Sequence, residues 1–312
     1  MEYINNVFKL LQPIQGNLQN GQQVNKIHRR ILRDTLSINE EYLIILDLIS
    51  NSMSILGILF IWVVYFKYRK ELNSPSYKMI LFLQTTDFLF SVSQIMNFDY
   101  VDGEQNKVLC YMQGFLSTYA GLGSILWTMA ISFTMKSALL SDTTNLLKNQ
   151  KISTYICYGV PLLMSLIPVI TDDYGPAGVI CWIDDTQNPT RVLILRMLTF
   201  YGPLWIAITY NFYTYITLIR YLKTVVDQES DQLQFVKNLM YYPFILVICW
   251  IFGTFNRIYV FFDDEIEIVS ALHLFFGGLM GFFNALVYGF SGQAKKIIKD
   301  KCCSIDRIKY AI

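Results

Sequence analysis

Two arginines, a histidine and two aspartates stand where a chain normally avoids charge. Arg196, Arg257, His273, Asp47 and Asp87 all fall within or at the edge of long apolar stretches. An unpaired charge in hydrocarbon costs at least about 2.5–3.5 kcal/mol, so such residues are functional candidates. A guanidinium presents a planar fork of donors that suits phosphate or carboxylate. Arg196, Arg257, His273 and Trp250 are therefore the candidate ligand contacts. The bland alternative is that the arginines snorkel to an interface or pair with loop acids such as Asp263. For Trp250, as for Trp127, Phe252 and Phe255, it is core packing. Asp87 must meet polar groups or a cation. Ser124 and Asn284 are its candidate partners, and Asp87, Asn284 and Tyr288 form a candidate polar switch. A plain structural contact is the competing reading.

The elements that must position these groups follow from where the charges are missing. Leu48–Phe66, Val108–Met135, Ile152–Thr171, Met197–Ile219, Asn238–Asn256 and Ile268–Ala294 contain no Asp, Glu, Lys or Arg. Met79–Phe98 is interrupted only by Asp87. A helix needs about 20 mostly apolar residues to cross the hydrocarbon layer. Every backbone polar group must be satisfied within the segment there, which selects the α-helix. Barrel strands, by contrast, alternate polar and apolar over about 10 residues. The expected fold class is an all-α membrane protein, a seven-transmembrane helix bundle with a short C-terminal amphipathic helix. Its spans are placed at about 42–66, 77–98, 108–135, 152–171, 192–219, 236–262 and 267–290. A tail precedes them over 1–41, and 291–312 forms the terminal helix and a short tail. Within the tail, Val24–Leu36 could form a short basic amphipathic turn, but a flexible segment is the expected state.

Composition agrees with this class. Apolar residues make up 54% of the 312 and charged residues 16%, where a soluble protein carries about 25%. Twenty-five basic against 24 acidic residues leave a net charge of +1, which excludes a nucleic-acid binder. The segments 67–78, 136–151, 220–237 and 295–312 hold 16 Lys and Arg, and the opposite side, tail included, holds 7. The N-terminus is thus expected outside and the C-terminus in the cytoplasm, although Arg29, Arg30 and Arg33 precede the first span. Met1–Asn25 lacks a basic start followed by an apolar core, so the first span is expected to direct its own insertion. The bilayer is the first partner.

Depth and cysteines refine the picture. Arg196, Arg257 and His273 all fall in the outer third of their spans. The outer loops carry 11 acids against 2 bases, a field that slows the approach of an anion. Either the arginines hold an anionic group of a small ligand despite the loops, or they hold the loop acids. Cys110 and Cys181 both lie on the outer side, where an oxidising environment permits a bridge. Cys302 and Cys303 follow four nearby lysines and are palmitoylation candidates, or else free thiols. Pro203 and Pro243 break helix bonds in spans five and six and are candidate hinges. Lys136, Arg220, Lys223 and Lys237 mark the inner ends as a candidate docking face. Gly277 and Gly281 are spaced for close helix contact.

Four motifs in order carry a family resemblance. They are Cys110-Tyr-Met-Gln with Ser124-Ile-Leu-Trp127-Thr128, then Cys181-Trp182-Ile183, then Phe200-Tyr201-Gly202-Pro203-Leu204, then Cys249-Trp250 leading to Asn256-Arg257-Ile258. Together they resemble the cyclic AMP receptor (class E) family of seven-helix G-protein-coupled receptors. The likeness is clear over spans three to six and rests mainly on position elsewhere. It implies a plasma-membrane receptor, not an enzyme, with no cofactor, an extracellular small-molecule ligand and a heterotrimeric G protein as partner. It supports a Cys110–Cys181 bridge, and it implies that Arg196 and Arg257 sit where ligand phosphate can be held.

Departures limit what can be carried over. The third span ends Ser132-Phe-Thr-Met-Lys136-Ser137, without the Asp/Glu-Arg-Tyr triplet of rhodopsin-like receptors. Span seven carries Asn284-Ala285-Leu286-Val287-Tyr288, an Asn-Pro-x-x-Tyr motif with its proline lost. Rival chemistries lack their residues. Span seven has no lysine for a retinal Schiff base, and two histidines in the whole chain are too few for a membrane metal hydrolase. Asp47 and Asp87 lie in no glycine-rich protease signature. A solute transporter is the alternative, although the two related halves common in transporters are not visible.

Overall fold

The computed structural model describes residues 21–72, 75–96, 106–140, 146–177, 179–184, 186–225, 241–259 and 266–289. Helices occupy the described part of every apolar stretch named above. They are α1 Gly21–Lys67, α2 Pro75–Ile95, α3 Lys107–Leu140, α4 Leu146–Ile170, α5 Pro189–Arg196, α6 Gly202–Val225, α7 Tyr241–Tyr259, α8 Glu267–Gly278 and α9 Met280–Gly289. The protein is an all-α membrane bundle with one small hairpin. Among the described residues four helices are long and apolar enough to cross a bilayer, and α8 with α9 form a fifth that is bent by 41°. Helix α7 is shorter over its described part. Helix α2 is long enough but carries Gln84, Thr86, Asp87, Ser91, Ser93 and Gln94, all buried.

Several boundaries differ from expectation, and three differences bear on the site. Helix α1 starts at Gly21, within the segment expected to be a flexible tail. No Gly or Pro interrupts residues 22–56, so no residue there ends a helix once it has formed. Span five begins at Pro189, where Asn188 caps it by accepting from the amides of Thr190 and Arg191. Proline suits this first turn because its missing N–H is not needed there. Two short antiparallel strands that no helical pattern announced, β1 Tyr174–Ala177 and β2 Ile180–Ile183, lie between α4 and α5. The C-terminal amphipathic helix, Cys302, Cys303 and Lys237 lie outside the described residues.

Helix α3 is the axis of the bundle. Within its most apolar stretch 72% is buried, against 33% for α1 and 28% for α4. Three of its hydroxyls bond within the helix: Thr118 donates to the Gly114 carbonyl, Thr128 to Ser124 and Ser132 to Thr128. This back-bonding makes a polar residue tolerable on a buried helix. Around α3 runs one apolar core containing Leu83, Phe90, Trp127, Phe200, Leu204, Tyr215 and Trp250. The opposite faces of α1 and α4 expose Leu56, Phe60, Val63, Leu163 and Ile170, as lipid contact requires.

Candidate functional site

The site is built from the hairpin inward. Cys181 on β2 is disulfide-bonded to Cys110 on α3. Its amide donates to Gln113 Oε1 at 3.0 Å, while Gln113 Nε2 donates to the Ser93 carbonyl on α2. One residue on, the Trp182 indole N–H donates to Thr118 Oγ1 at 2.9 Å. Tyr174 on β1 lies across Gly114, where any β-carbon would strike its ring, and donates to the Ser165 carbonyl. At the strand roots Arg191 pairs with Asp173 at 2.9 Å and Lys107 with Asp172 at 3.3 Å. Asp172 adopts a left-handed φ of 58°, a conformation that Asp tolerates better than most residues. The Tyr111 hydroxyl and Lys107 hold the Asp172 carboxyl below the usual carboxylate range.

Beneath the hairpin lies a cavity that opens toward solvent. Ile180 and Trp182 wall it from β2, Phe90 and Gln94 from α2, and Ser117 from α3. Trp250 and Arg257 come from α7, and His273, Leu274, Gly277 and Gly278 from α8. Phe200 and Tyr201 complete the wall. They reach it because Met197–Tyr201 forms one π-helical turn between α5 and α6. Thr199, Phe200 and Tyr201 are all buried along this turn. Gly202 is required here: a β-carbon would come within 2.6 Å of the Met197 carbonyl oxygen. Single π turns of this kind cluster at functional sites.

The polar groups of the cavity sit among rings. The Trp250 ring lies 4.5 Å from Phe200 and 6.1 Å from His273. His273 packs on bare Gly253 backbone, where a β-carbon would approach its ring to 2.5 Å. Ser117 donates to Gln94 at 3.3 Å. The Arg257 guanidinium lies 6.0 Å from the Trp182 ring, and that of Arg196 lies 5.2 Å from the same ring. Arg196 also donates to the Ile183 carbonyl at 2.7 Å. Both arginines are buried. Trp182 is therefore the aromatic face shared by the two cations, an arrangement with about 0.5–2 kcal/mol of attraction each.

A family model described as slime mold cyclic AMP receptor matches residues 34–294. The chain belongs to this family. A relative named G-protein coupled receptor 1, from Arabidopsis thaliana, is 31% identical over 267 residues, covering 81% of this chain and 79% of the relative. Cyclic AMP receptor 2 of Dictyostelium discoideum is 25% identical over 251 residues, covering 77% of this chain and 64% of the relative. Cyclic AMP receptor-like protein A of the same organism is 28% identical over 244 residues, covering 77% and 62%. The chain spans somewhat under two thirds of the length of these two Dictyostelium relatives. As a member of this cyclic AMP receptor family, the chain is a multi-pass membrane protein of the G-protein-coupled-receptor-like kind.

Within this family member the expected site residues fall into separate groups. Arg257, His273 and Trp250 line one cavity; Arg196 does not line it and stands on the Trp182 ring instead. Asp87 lies deeper, accepting from Ser124 and, at 2.9 Å, from Asn284. The Tyr288 side chain lies outside the described residues. Pro203 is the second residue of α6, after Gly202 at the end of the π turn. Pro243 falls in the first described turn of α7, and Leu239, whose carbonyl it would free, is outside the described residues. Lys136 lies over the Tyr213 ring at 4.8 Å, while Arg220 and Lys223 are exposed on the last turns of α6. Gly278, not Gly277, joins Gly281 in the close approach to α1; Gly277 faces the cavity.

Sequence reasoning missed Trp182, Tyr201, Gln94 and the π turn. Trp182 stood inside a quoted motif, next to a cysteine expected to be bridged, and that was the usable signal. Nothing local in Gln94 distinguishes it from a surface residue.

Proposed function

We propose that this chain is a seven-helix receptor that passes the signal of an extracellular small molecule to a heterotrimeric G protein. The cavity beneath the hairpin carries the reading. A disulfide-anchored loop, two aromatic walls, a guanidinium and an imidazole converge on one concave space, the usual form of a small-ligand site. The wall supports a flat ligand with an anionic group. Trp182, Phe200 and Trp250 offer ring faces, and Arg257 offers donors suited to phosphate or carboxylate. No carboxylate is among the described lining residues. Arg196 supports the same end by adding a second positive charge against the Trp182 ring.

Orientation is read from the same features. The bridge Cys110–Cys181 belongs in an oxidising space, and the basic loops belong inside. The N-terminus is then extracellular, the C-terminus cytoplasmic, and the membrane is the plasma membrane. Lys136, Arg220 and Lys223, with Lys237, offer a basic inner face to the partner. Asp87, Ser124 and Asn284 tie α2, α3 and α9 together midway between cavity and inner face, where a change of packing would pass. Such a receptor acts by shifting population between two packings of spans five to seven.

The test is a screen of small anionic compounds on the chain reconstituted with G protein, read as nucleotide exchange. Activation that disappears in Arg257→Ala supports the proposal. Solute uptake without exchange would replace it with a transporter.

A further inference from the structure

The seventh span is broken by a residue of the first. The rung that should join the Gly278 carbonyl to the Phe282 amide is not closed directly. The Ser54 hydroxyl of α1 stands between them, donating to the Gly278 carbonyl at 2.5 Å and accepting from the Phe282 amide at 3.0 Å. The ladder resumes with the Phe283 amide on the Leu279 carbonyl at 3.0 Å. At this break, between Gly278 and Met280, the span bends by 41°. No proline is present to explain the bend; Ala285 holds the position after Asn284. A side chain inserted into the i to i−4 ladder is itself a sufficient cause of a kink.

The neighbourhood is shaped for this insertion. Ser54 is fully buried. A β-carbon at Gly278 would strike Ser50, and one at Gly281 would meet Ile58 at 2.8 Å and Ser54 at 3.2 Å. Gly57 faces Ala285 at similar closeness. Small residues thus bring the α1 backbone close enough for one hydroxyl to reach another helix's main chain. Ser50, one turn away, donates instead to the Asp47 carbonyl of its own helix at 3.0 Å.

We propose that Ser54 is the positioning residue of the seventh span. Its hydroxyl holds the bend by which His273 reaches the cavity from α8 while Asn284 on α9 stays on Asp87. The bend itself is a matter of geometry; its bearing on signalling rests on the receptor reading above. With α9 fixed by Asn284, closing the rung would swing the outer end of α8. Helix α8 is 12 residues long and the bend is 41°, so with a rise of about 1.5 Å per residue the displacement is on the order of 10 Å.

The experiment uses the full chain in lipid nanodiscs, with Cys302 and Cys303 changed to Ser. Spin labels go on Val108→Cys of α3 and Ile268→Cys of α8, both exposed positions. Ser54→Ala should let Gly278 and Phe282 bond directly and shift the label distance by several ångström. Ser50→Ala, which removes a hydroxyl from the same seam but not from the rung, should leave it unchanged. Ser54→Cys fills the volume with a weaker donor and should give an intermediate shift; it decides the matter if Ser54→Ala does not fold. A parent-like distance in folded Ser54→Ala, or in folded Ser54→Cys where Ala fails, overturns the proposal. Equal shifts in Ser50→Ala and Ser54→Ala do so too. A shifted distance with unchanged G-protein exchange upholds the bend and counts against the receptor reading.

Discussion

Trp182 concentrates more of the site than any other side chain. Its indole N–H is held by Thr118, its ring faces Phe200 and Tyr201, and both buried arginines stand over it. Trp182→Phe keeps the ring and loses the hydrogen bond. Stability should fall by about 1 kcal/mol, since Thr118 still bonds Gly114. Trp182→Ala should cost about 3–5 kcal/mol, and agonist potency should fall by about tenfold or more as the cations lose their shared face. Thermal unfolding and dose–response curves check the two. At the strand root, Asp172 has its carboxyl lowered by Tyr111 and Lys107. A lowered folded value means stabilisation that is present above the ordinary carboxylate range and lost as pH falls through the folded value. Melting at pH 3 should therefore lie below that at pH 7 by a smaller margin in Asp172→Asn. The effect is small, since the group is exposed and screened. Arg257 and His273 were legible as candidates from charge and depth, and Trp250 from its place in span six. Trp182 was not, because a tryptophan in a loop says nothing of the ring it will share until the loop is known to fold inward.

At the scale of elements, helices follow from missing charges, and their interruptions do not. The π turn leaves no mark in hydropathy: Met197–Tyr201 reads as ordinary span. Its necessary residue is Gly202, where a β-carbon would meet the Met197 carbonyl. Gly202→Ala should destabilise by about 1–3 kcal/mol through this overpacking. The sharper outcome is local. Phe200 and Tyr201 can no longer both face the cavity, so ligand-induced exchange should fall more than expression does. Thermal stability and surface labelling measured together separate the two effects. The break between α8 and α9 escaped sequence reading for another reason. No residue near the break marks it, because the hydroxyl inserted there belongs to Ser54, which lies far away in the chain on α1. The hairpin was hidden likewise, because two four-residue strands, buried almost throughout, show no alternation.

On the scale of the molecule, polar pairs recur along α3 from the cavity toward its Lys136 end: Gln94 with Ser117, Asp87 with Ser124, and Ser132 with Tyr215. An outward tilt of the inner end of α7 is the motion expected to open a cleft against α3 near Lys136. Pro243→Ala should stiffen that end and weaken G-protein activation, with ligand affinity reduced only in part, since coupling energies are typically about 1–3 kcal/mol. Labels at the inner ends of spans three and six report the separation; no change under saturating agonist and partner would defeat this motion. The bridged hairpin bears on time as well as on strength. A loop tied to α3 by a disulfide, a glutamine and an indole cannot lift quickly, so a molecule arriving at the cavity and one leaving it pass the same obstruction. Both rates fall together while the equilibrium between them stays put. On the proposed function, a receptor roofed in this way is expected to average its stimulus, answering sustained exposure over brief pulses, and mild reduction of Cys110–Cys181 should quicken the response in both directions.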